Sequence, residues 1–288
     1  MTNNAPLGIT LMILTSLVFA LQDGISRYLA AEYNVLMVVA IRYWFFAAFV
    51  VAVAVARGGG VARVARTGQL KLQIVRGVLL VAEICTTVLS FVLLGLIGTH
   101  AIFAIYPLLI AALSGPVLGE SVGWRRWTAI AIGLAGVLVI LRPGFQVFAP
   151  EAVVPVVAAL MFALYGLLTR RAALTDRAET SFFYTGVAGA AAITLFVPFF
   201  WEPMRTAGDW GWMGTLCVTG ALGHYLLIKT YEVAEATVVQ PFAYFQLLFV
   251  TILGLTIFGE TLELPTAAGG LLILSAGIYT ILRSGRRV

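Results

Sequence analysis

The chain has 288 residues, of which 61% are hydrophobic and 11% charged, with a net charge of +5 and a mean hydropathy of +1.01. Soluble domains carry roughly 45–50% apolar and about 25% charged residues, so a soluble enzyme is excluded and an integral membrane protein is expected. At roughly 20 apolar residues per spanning helix, the length accommodates about ten helices and no additional soluble domain.

Taken in order, the apolar runs of the first half are Leu7 to Ala30, Val35 to Ala56, Ile74 to Leu96, His100 to Leu118 and Trp127 to Leu141. Those of the second half are Val153 to Leu168, Ser181 to Phe200, Trp212 to Lys229, Ala236 to Phe258 and Ala267 to Leu282. None shows the period-two alternation of barrel strands, so an all-α membrane protein of ten transmembrane helices is predicted. The start, MTNNAPLG, lacks the basic region of a secretory signal, and the first run is expected to be retained. Cys85 and Cys217 lie inside apolar runs and read as small core residues, with neither disulfide nor metal-ligand spacing.

The chain states one pattern twice. GPVLGESVGWRRWTAIAIGLAGVLVILRPG (Gly115 to Gly144) and GLTIFGETLELPTAAGGLLILSAGIYTILRSG (Gly254 to Gly285) each close an apolar run on Gly-Glu and end in Ile-Leu-Arg-x-Gly. FALQDGISR (Phe19 to Arg27) is echoed by FALYGLLTR (Phe162 to Arg170). Residues 1–144 and 145–288 therefore read as two copies of a five-helix unit. Five is odd, so the second copy crosses the membrane in the opposite sense, giving an inverted five-plus-five repeat around a central cavity.

Basic residues set the orientation. One side collects Arg57, Arg63, Arg66, Lys71, Arg76, Arg125, Arg126, Arg170, Arg171, Arg177, Lys229, Arg283, Arg286 and Arg287, most of the chain's 18 cations. By the positive-inside bias that side is cytoplasmic, and both termini are placed there. Because the cations lie in connecting loops rather than a patch, topology explains them and nucleic acid is not implied.

Ionisable groups within membrane helices are costly and tend to face an interior or an aqueous path. Those expected here are Asp23, Arg27, Arg42, Glu83 and His224. Asp23 and Arg27 are one turn apart, and Asp23 and Arg42 lie at similar depth, so a structural bridge from Asp23 to either arginine is expected. Glu83 has no cation within two turns. Two readings stand for it: a site for a substrate amine or a proton, or a buried, neutral, hydrogen-bonded acid.

Helix-spaced polar stripes accompany these groups: Thr15, Gln22 and Ser26; Glu83, Thr87 and Ser90; Gln240, Tyr244 and Thr251. Polar contacts between helices would account for the Ser and Thr members, whereas Gln22, Glu83, Gln240 and Tyr244 point to a shared aqueous cavity. Phe19, Tyr106, Tyr165 and Tyr244 fall near the stripes and away from the helix ends. Core packing explains any one ring; together they offer a stacking surface for an aromatic or apolar substrate. Pro107 and Pro241 interrupt corresponding runs of the two halves, a pointer to a transport site. They stand 13 residues before Glu120 and 19 before Glu260, so kinks of differing depth are expected.

No GxxxxGKS/T phosphate loop, HExxH, CxxC, GxSxG or TVGYG motif occurs, so neither direct ATP drive, a metal centre, an esterase nucleophile nor a potassium-type filter is implied. Nothing calls for a cofactor.

Gly119-Glu120 and Gly259-Glu260 closing corresponding runs, a Gly-rich run after each, Arg42 in the second run and the inverted repeat together resemble the drug/metabolite transporter superfamily, specifically its EamA-type members. Within it the chain looks most like YddG-type exporters of aromatic amino acids and related metabolites. The resemblance covers essentially the whole chain. It implies a basket-shaped fold whose cavity is lined by the first, third, fourth, sixth, eighth and ninth helices, with alternating access in the bacterial inner membrane. A small-molecule substrate and the lipid bilayer are the implied partners, with monomer and homodimer both open.

The reading is thus an exporter of aromatic or hydrophobic amino acids. Phe19, Gln22, Glu83, Thr87, Tyr106, Tyr165, Gln240 and Tyr244 are expected at the substrate, and Asp23, Arg42, Pro107, Glu120, Pro241 and Glu260 in structural or gating roles. An exporter of drugs or other metabolites, a membrane enzyme acting on lipid-linked substrates and a channel are the alternatives.

Overall fold

A computed structural model describes residues 4–56, 60–119, 123–141 and 150–284. Among the described residues the fold is all-helical, without a strand. Helix α1 spans Ala5–Glu32, with the Asn4 side chain accepting from Leu7 N at 3.1 Å and Pro6 in the first turn, where its missing N–H costs no hydrogen bond. It ends at Tyr33, whose backbone is extended, and α2 (Val35–Ala56) starts after Asn34 accepts from Leu36 N at 2.8 Å. A short α3 (Gly60–Val64) leads to α4 (Leu70–Phe103) and α5 (Tyr106–Leu118). The first half closes on α6 (Trp124–Leu141).

The second half contains α7 (Val153–Ala172), α8 (Ala178–Thr194) and α9 (Ala207–Val233). Then come α10 (Ala236–Val239), a 3-10 turn at Gln240–Tyr244, α11 (Phe245–Thr256) and α12 (Leu264–Ser284). Among the described residues five helices are long and apolar enough to cross a membrane: α1, α2, α4, α7 and α9. Shorter apolar stretches lie at Tyr106–Leu118, Phe242–Thr256 and Leu264–Ala276.

Two interruptions differ in detail from the sequence expectation. The third and fourth runs are separated, but not by a loop: Gly95 alone, with φ 73° and ψ 178°, breaks α4 into two helical segments, next to the expected end of the third run at Leu96. That conformation suits a residue without Cβ, and a Cβ there would meet the Glu260 carboxylate at 2.9 Å. The break in the fourth run comes later, at residues 104–105, just before α5. The prolines are likewise not kinks inside continuous helices. Pro107 lies in the first turn of α5 and Pro241 in the first turn of the 3-10 segment, positions that need no intrahelical N–H.

Packing joins the halves. The principal helix pairs are α1 with α9, α6 with α12, α4 with α7, α2 with α8, α4 with α8, α1 with α11 and α5 with α7. Most apolar core residues belong to one continuous cluster that includes Phe19, Tyr43, Phe46, Phe91, Phe103, Phe162 and Tyr231. Against this apolar background, charged groups at the centre of the bundle carry a large desolvation cost and must find partners.

Candidate functional site

The buried polar groups converge at one place. From α1 come Phe19, Gln22 and Asp23; from α2, Arg42; from α4, Glu83 and Thr87 before Gly95 and His100 and Phe103 after it. Helix α7 adds Phe162, α9 adds His224 and α11 adds Gln246. These side chains surround a cavity of about 30 Å³.

Asp23 is the hub. Gln246 Nε2 donates to its Oδ2 at 2.9 Å, and Gln22 Nε2 donates to Oδ1 at 3.4 Å. His100 Nε2 lies 3.1 Å from Oδ2 but out of line for a hydrogen bond. Arg42 is 3% exposed; it donates to Gln22 Oε1 at 3.0 Å and lies 3.2 Å from His224 Nε2. Glu83, also 3% exposed, accepts from Thr87 Oγ1 at 2.6 Å one turn along α4. A carboxylate, a guanidinium and two imidazoles thus share one buried network, with a second carboxyl group beside it. His224 Nδ1 and the hydroxyls of Tyr43 and Tyr244 are buried with no hydrogen-bond partner among the described residues.

An aromatic wall stands against this network. Phe162 meets Phe19 at 6.2 Å between ring centroids, Phe103 at 5.6 Å and Tyr106 at 4.8 Å, the last edge to face. Phe19 in turn packs on His224 at 5.1 Å. Small-molecule sites commonly occupy about 300–1,000 Å³, so this cavity is too small to hold such a solute, and admitting one requires the surrounding helices to separate.

Neither expected bridge from Asp23 to an arginine forms. Arg27 pairs with Glu260 and stacks over the Phe258 ring at 4.3 Å, while Arg42 goes to Gln22 and His224. Asp23 instead meets His100 and Gln246, which sequence reasoning did not connect to it. One turn of helix brings Asp23 and Arg27 to a common side, but different neighbours cover successive turns.

Phe19, Gln22, Glu83 and Thr87 line the cavity, as do Asp23 and Arg42. Tyr106 and Tyr165 stand one layer back, against Phe162, and Tyr165 accepts from Arg76 at 3.3 Å. Tyr244 is buried in the core. Gln240 lies in the 3-10 turn, and its side chain, like that of Pro241, falls outside the described residues. Glu120 also falls outside them. Glu260 accepts from Leu96 N and Ile97 N, both at 2.8 Å, capping the segment that starts after Gly95.

Arg76, which sequence reasoning assigned to a loop, is fully buried in α4. It donates to Gln73, Tyr165, Thr169 and the Ser181 carbonyl, and Gln73 passes the network on to Asp176 at 2.8 Å. His100, Phe103, Phe162 and Gln246 were also missed at the cavity. His100 and Gln246, polar residues in apolar runs, were the available signal.

The model of the EamA-like transporter family matches the chain twice, over residues 6–142 and 151–283. The S-adenosylmethionine uptake transporter of Rickettsia prowazekii (strain Madrid E) is 22% identical over 274 residues, spanning 95% of this chain and 92% of that protein. The riboflavin transporter of Vibrio cholerae is 26% identical over 256 residues, spanning 86% and 84%. The pseudopaline exporter CntI of Pseudomonas aeruginosa (strain UCBPP-PA14) is 26% identical over 174 residues, spanning 60% and 61%. A crystal structure of a 20% identical protein superposes with a TM-score of 0.72 over 99% of both chains.

Proposed function

The chain belongs to the EamA-like transporter family, and from that premise we propose that it carries aromatic or hydrophobic amino acids across the inner membrane by alternating access, in the direction of export. It is a multi-pass membrane transporter of small molecules rather than an enzyme. The observation that carries the substrate class is the placement of Asp23, Glu83 and Arg42 beside the Phe19, Phe103 and Phe162 rings. A zwitterionic amino acid presents an ammonium to a carboxylate, a carboxylate to a guanidinium and an apolar body to the aromatic wall. Gln22 and Gln246 hold Asp23 and Arg42 in register. His224 Nδ1 offers a further buried polar contact.

The packing pattern supports the inverted repeat. Exchanging α1 with α7, α2 with α8, α4 with α9, α5 with α11 and α6 with α12 maps the α1–α9 pair onto α4–α7 and α1–α11 onto α5–α7, and returns α2–α8 and α6–α12 to themselves. Substrate sites of such repeats lie near the midplane between the copies, and the network draws side chains from helices of both halves. Both termini on the cytoplasmic side follow from the distribution of basic residues.

A second reading, S-adenosylmethionine as the substrate with uptake as the direction, is favoured by the Rickettsia relative, which covers nearly the whole chain. That molecule also joins an amino-acid head to an aromatic ring. Counterflow in proteoliposomes separates the readings: labelled phenylalanine, tyrosine and tryptophan are compared with S-adenosylmethionine, riboflavin, a nucleoside and a sugar, with and without a proton gradient. Exchange of the aromatic amino acids is expected. Clear nucleoside or sugar exchange with none of the three amino acids sinks the proposal.

A further inference from the structure

A second buried polar cluster lies at the end of the bundle where α4 begins, α7 ends and α8 begins. Arg76 is its centre, 0% exposed. Its guanidinium donates to Gln73 Oε1 at 2.9 Å, the Tyr165 hydroxyl at 3.3 Å, the Thr169 hydroxyl at 3.2 Å and the Ser181 carbonyl. Every one of these acceptors is uncharged. Among the described residues no carboxylate stands within ion-pair distance of Arg76. The acid of the cluster, Asp176, is held off by Gln73, whose amide donates to Asp176 Oδ2 at 2.8 Å while accepting from Arg76. These hydrogen bonds satisfy the donors but leave a buried positive charge without a direct counter-ion, a costly arrangement that membrane proteins keep mainly along solute and ion pathways.

The cluster adjoins the central cavity. Tyr165 packs on Phe162 at 6.1 Å and edge to face on His224 at 6.2 Å between ring centroids, and His224 Nε2 stands 3.2 Å from Arg42. Two buried arginines are thus linked through one tyrosine and one histidine. Along α4, Arg76 lies between the helix start at Leu70 and Glu83, about 9 Å from the first and about 10 Å from the second at roughly 1.5 Å per residue. It therefore stands between the end of the bundle and the cavity, at the end that the basic residues assign to the cytoplasm. That end is closed by direct approach of two helices: a Cβ on Gly77 of α4 would lie 2.8 Å from the Tyr184 carbonyl of α8.

Resting on the amino-acid reading above, we propose that Arg76 is a carboxylate-binding station on the cytoplasmic route to the cavity. When α4 and α8 part, the guanidinium takes the carboxylate of the solute, and Arg42 takes it from there in the cavity. A carboxylate meets a guanidinium through two parallel charge-assisted hydrogen bonds, so it supplies the missing counter-charge while replacing neutral acceptors. The Tyr165 and Phe162 rings, packed on one another beside this route, accompany the apolar body of the solute.

Counterflow with the solute added to the cytoplasmic face, in inside-out vesicles, and to the outer face tests the station. Lysine keeps the charge of Arg76 but not its planar fork. In Arg76→Lys the KM for phenylalanine at the cytoplasmic face is expected to rise about tenfold, the loss of one bidentate contact, with little change at the outer face. Inhibition by phenethylamine, which has no carboxylate, is expected to stay as in the wild type. A measurement on the wild-type protein is independent of how the variant folds: modification of Arg76 by phenylglyoxal, read by peptide mass spectrometry, is expected to slow with phenylalanine present and not with phenethylamine. An equal KM rise at both faces, an equal weakening of phenethylamine, or equal protection by the two compounds overturns the station. If the wild type exchanges no aromatic amino acid, the amino-acid reading fails by itself, and protection by S-adenosylmethionine against its decarboxylated form decides for or against Arg76.

Discussion

Arg27 of α1 is ion-paired with Glu260, whose carboxylate also accepts the backbone N–H groups of Leu96 and Ile97 at 2.8 Å each. One side chain from the end of the second half therefore caps a helical segment of the first half and holds a cation one turn from Asp23. The roles are unequal. The cap satisfies two helix-terminal donors that no intrahelical carbonyl can reach, whereas the ion pair is partly exposed, its side chains 22% and 14% accessible.

Glu260→Ala is accordingly expected to lower stability by about 2 kcal/mol or more, since each stranded buried N–H costs roughly 1–3 kcal/mol. Arg27→Ala is expected to cost less than about 1 kcal/mol, in the range of partly screened pairs. Thermal unfolding in detergent under matched conditions gives the ranking. An equal loss for the two variants contradicts the unequal roles.

Arg76 supplies the second prediction. Its guanidinium reaches Gln73, Tyr165, Thr169 and the Ser181 carbonyl and lies 5.4 Å from the centroid of the Tyr165 ring. A lysine keeps the charge but cannot span these acceptors with one rigid fork. Arg76→Lys is expected to lower the melting temperature well beyond Arg205→Lys, since Arg205 pairs with Glu32 at 3.6 Å on a side chain 63% exposed. Similar shifts for both remove the argument for Arg76 as a structural centre.

Arg76 also marks where the sequence stopped being legible. Hydropathy alone announced an all-helical membrane protein, and the doubled Gly-Glu pattern announced a repeat. Glu83, Gln22 and Thr87 were legible because a polar group in an apolar run must be covered by something. What covers it was not. Arg76 looked like a loop cation because it stands just beyond the start of an apolar run, and α4 begins six residues earlier, at Leu70. Asp23 looked like the partner of Arg27 because intrahelical spacing is written in the sequence, whereas His100 and Gln246 reach it only after Gly95 and the turn at residues 240–244 redirect the chain.

Close approach at Gly220 gives a test of the arginine at the cavity. A Cβ there would lie 2.4 Å from Arg42 Nε and 2.9 Å from its Cζ. Gly220→Ala must therefore displace the guanidinium from Gln22 and His224. Gly214 on the same helix has open space around it, so Gly214→Ala serves as the control. Counterflow is expected to fall at least about tenfold in Gly220→Ala, the loss of one charge-assisted contact, and to persist in Gly214→Ala. Full activity in Gly220→Ala separates Arg42 from the substrate.

Glu83 decides whether the network acts on a charged solute or only fills the bundle. Gln is nearly isosteric and its amide oxygen can still accept from Thr87, so Glu83→Gln removes the charge while retaining the local hydrogen bond seen at 2.6 Å. If Glu83 meets a substrate ammonium, the variant loses a charge-assisted contact and amino-acid counterflow falls about 10- to 100-fold. An uncharged aromatic solute carried by the same cavity would be nearly unaffected. If Glu83 carries a proton instead, the variant retains counterflow, which exchanges solute without net proton movement, but loses any acceleration by a proton gradient. Asp23→Asn provides the contrast: it removes charge from the group already bonded to Gln246 at 2.9 Å and beside His100 at 3.1 Å, and is expected to disturb the resting network itself. A Glu83→Gln protein with unchanged counterflow and an unchanged gradient response would leave Glu83 as a buried acid held by Thr87, and would shift ammonium recognition to Asp23.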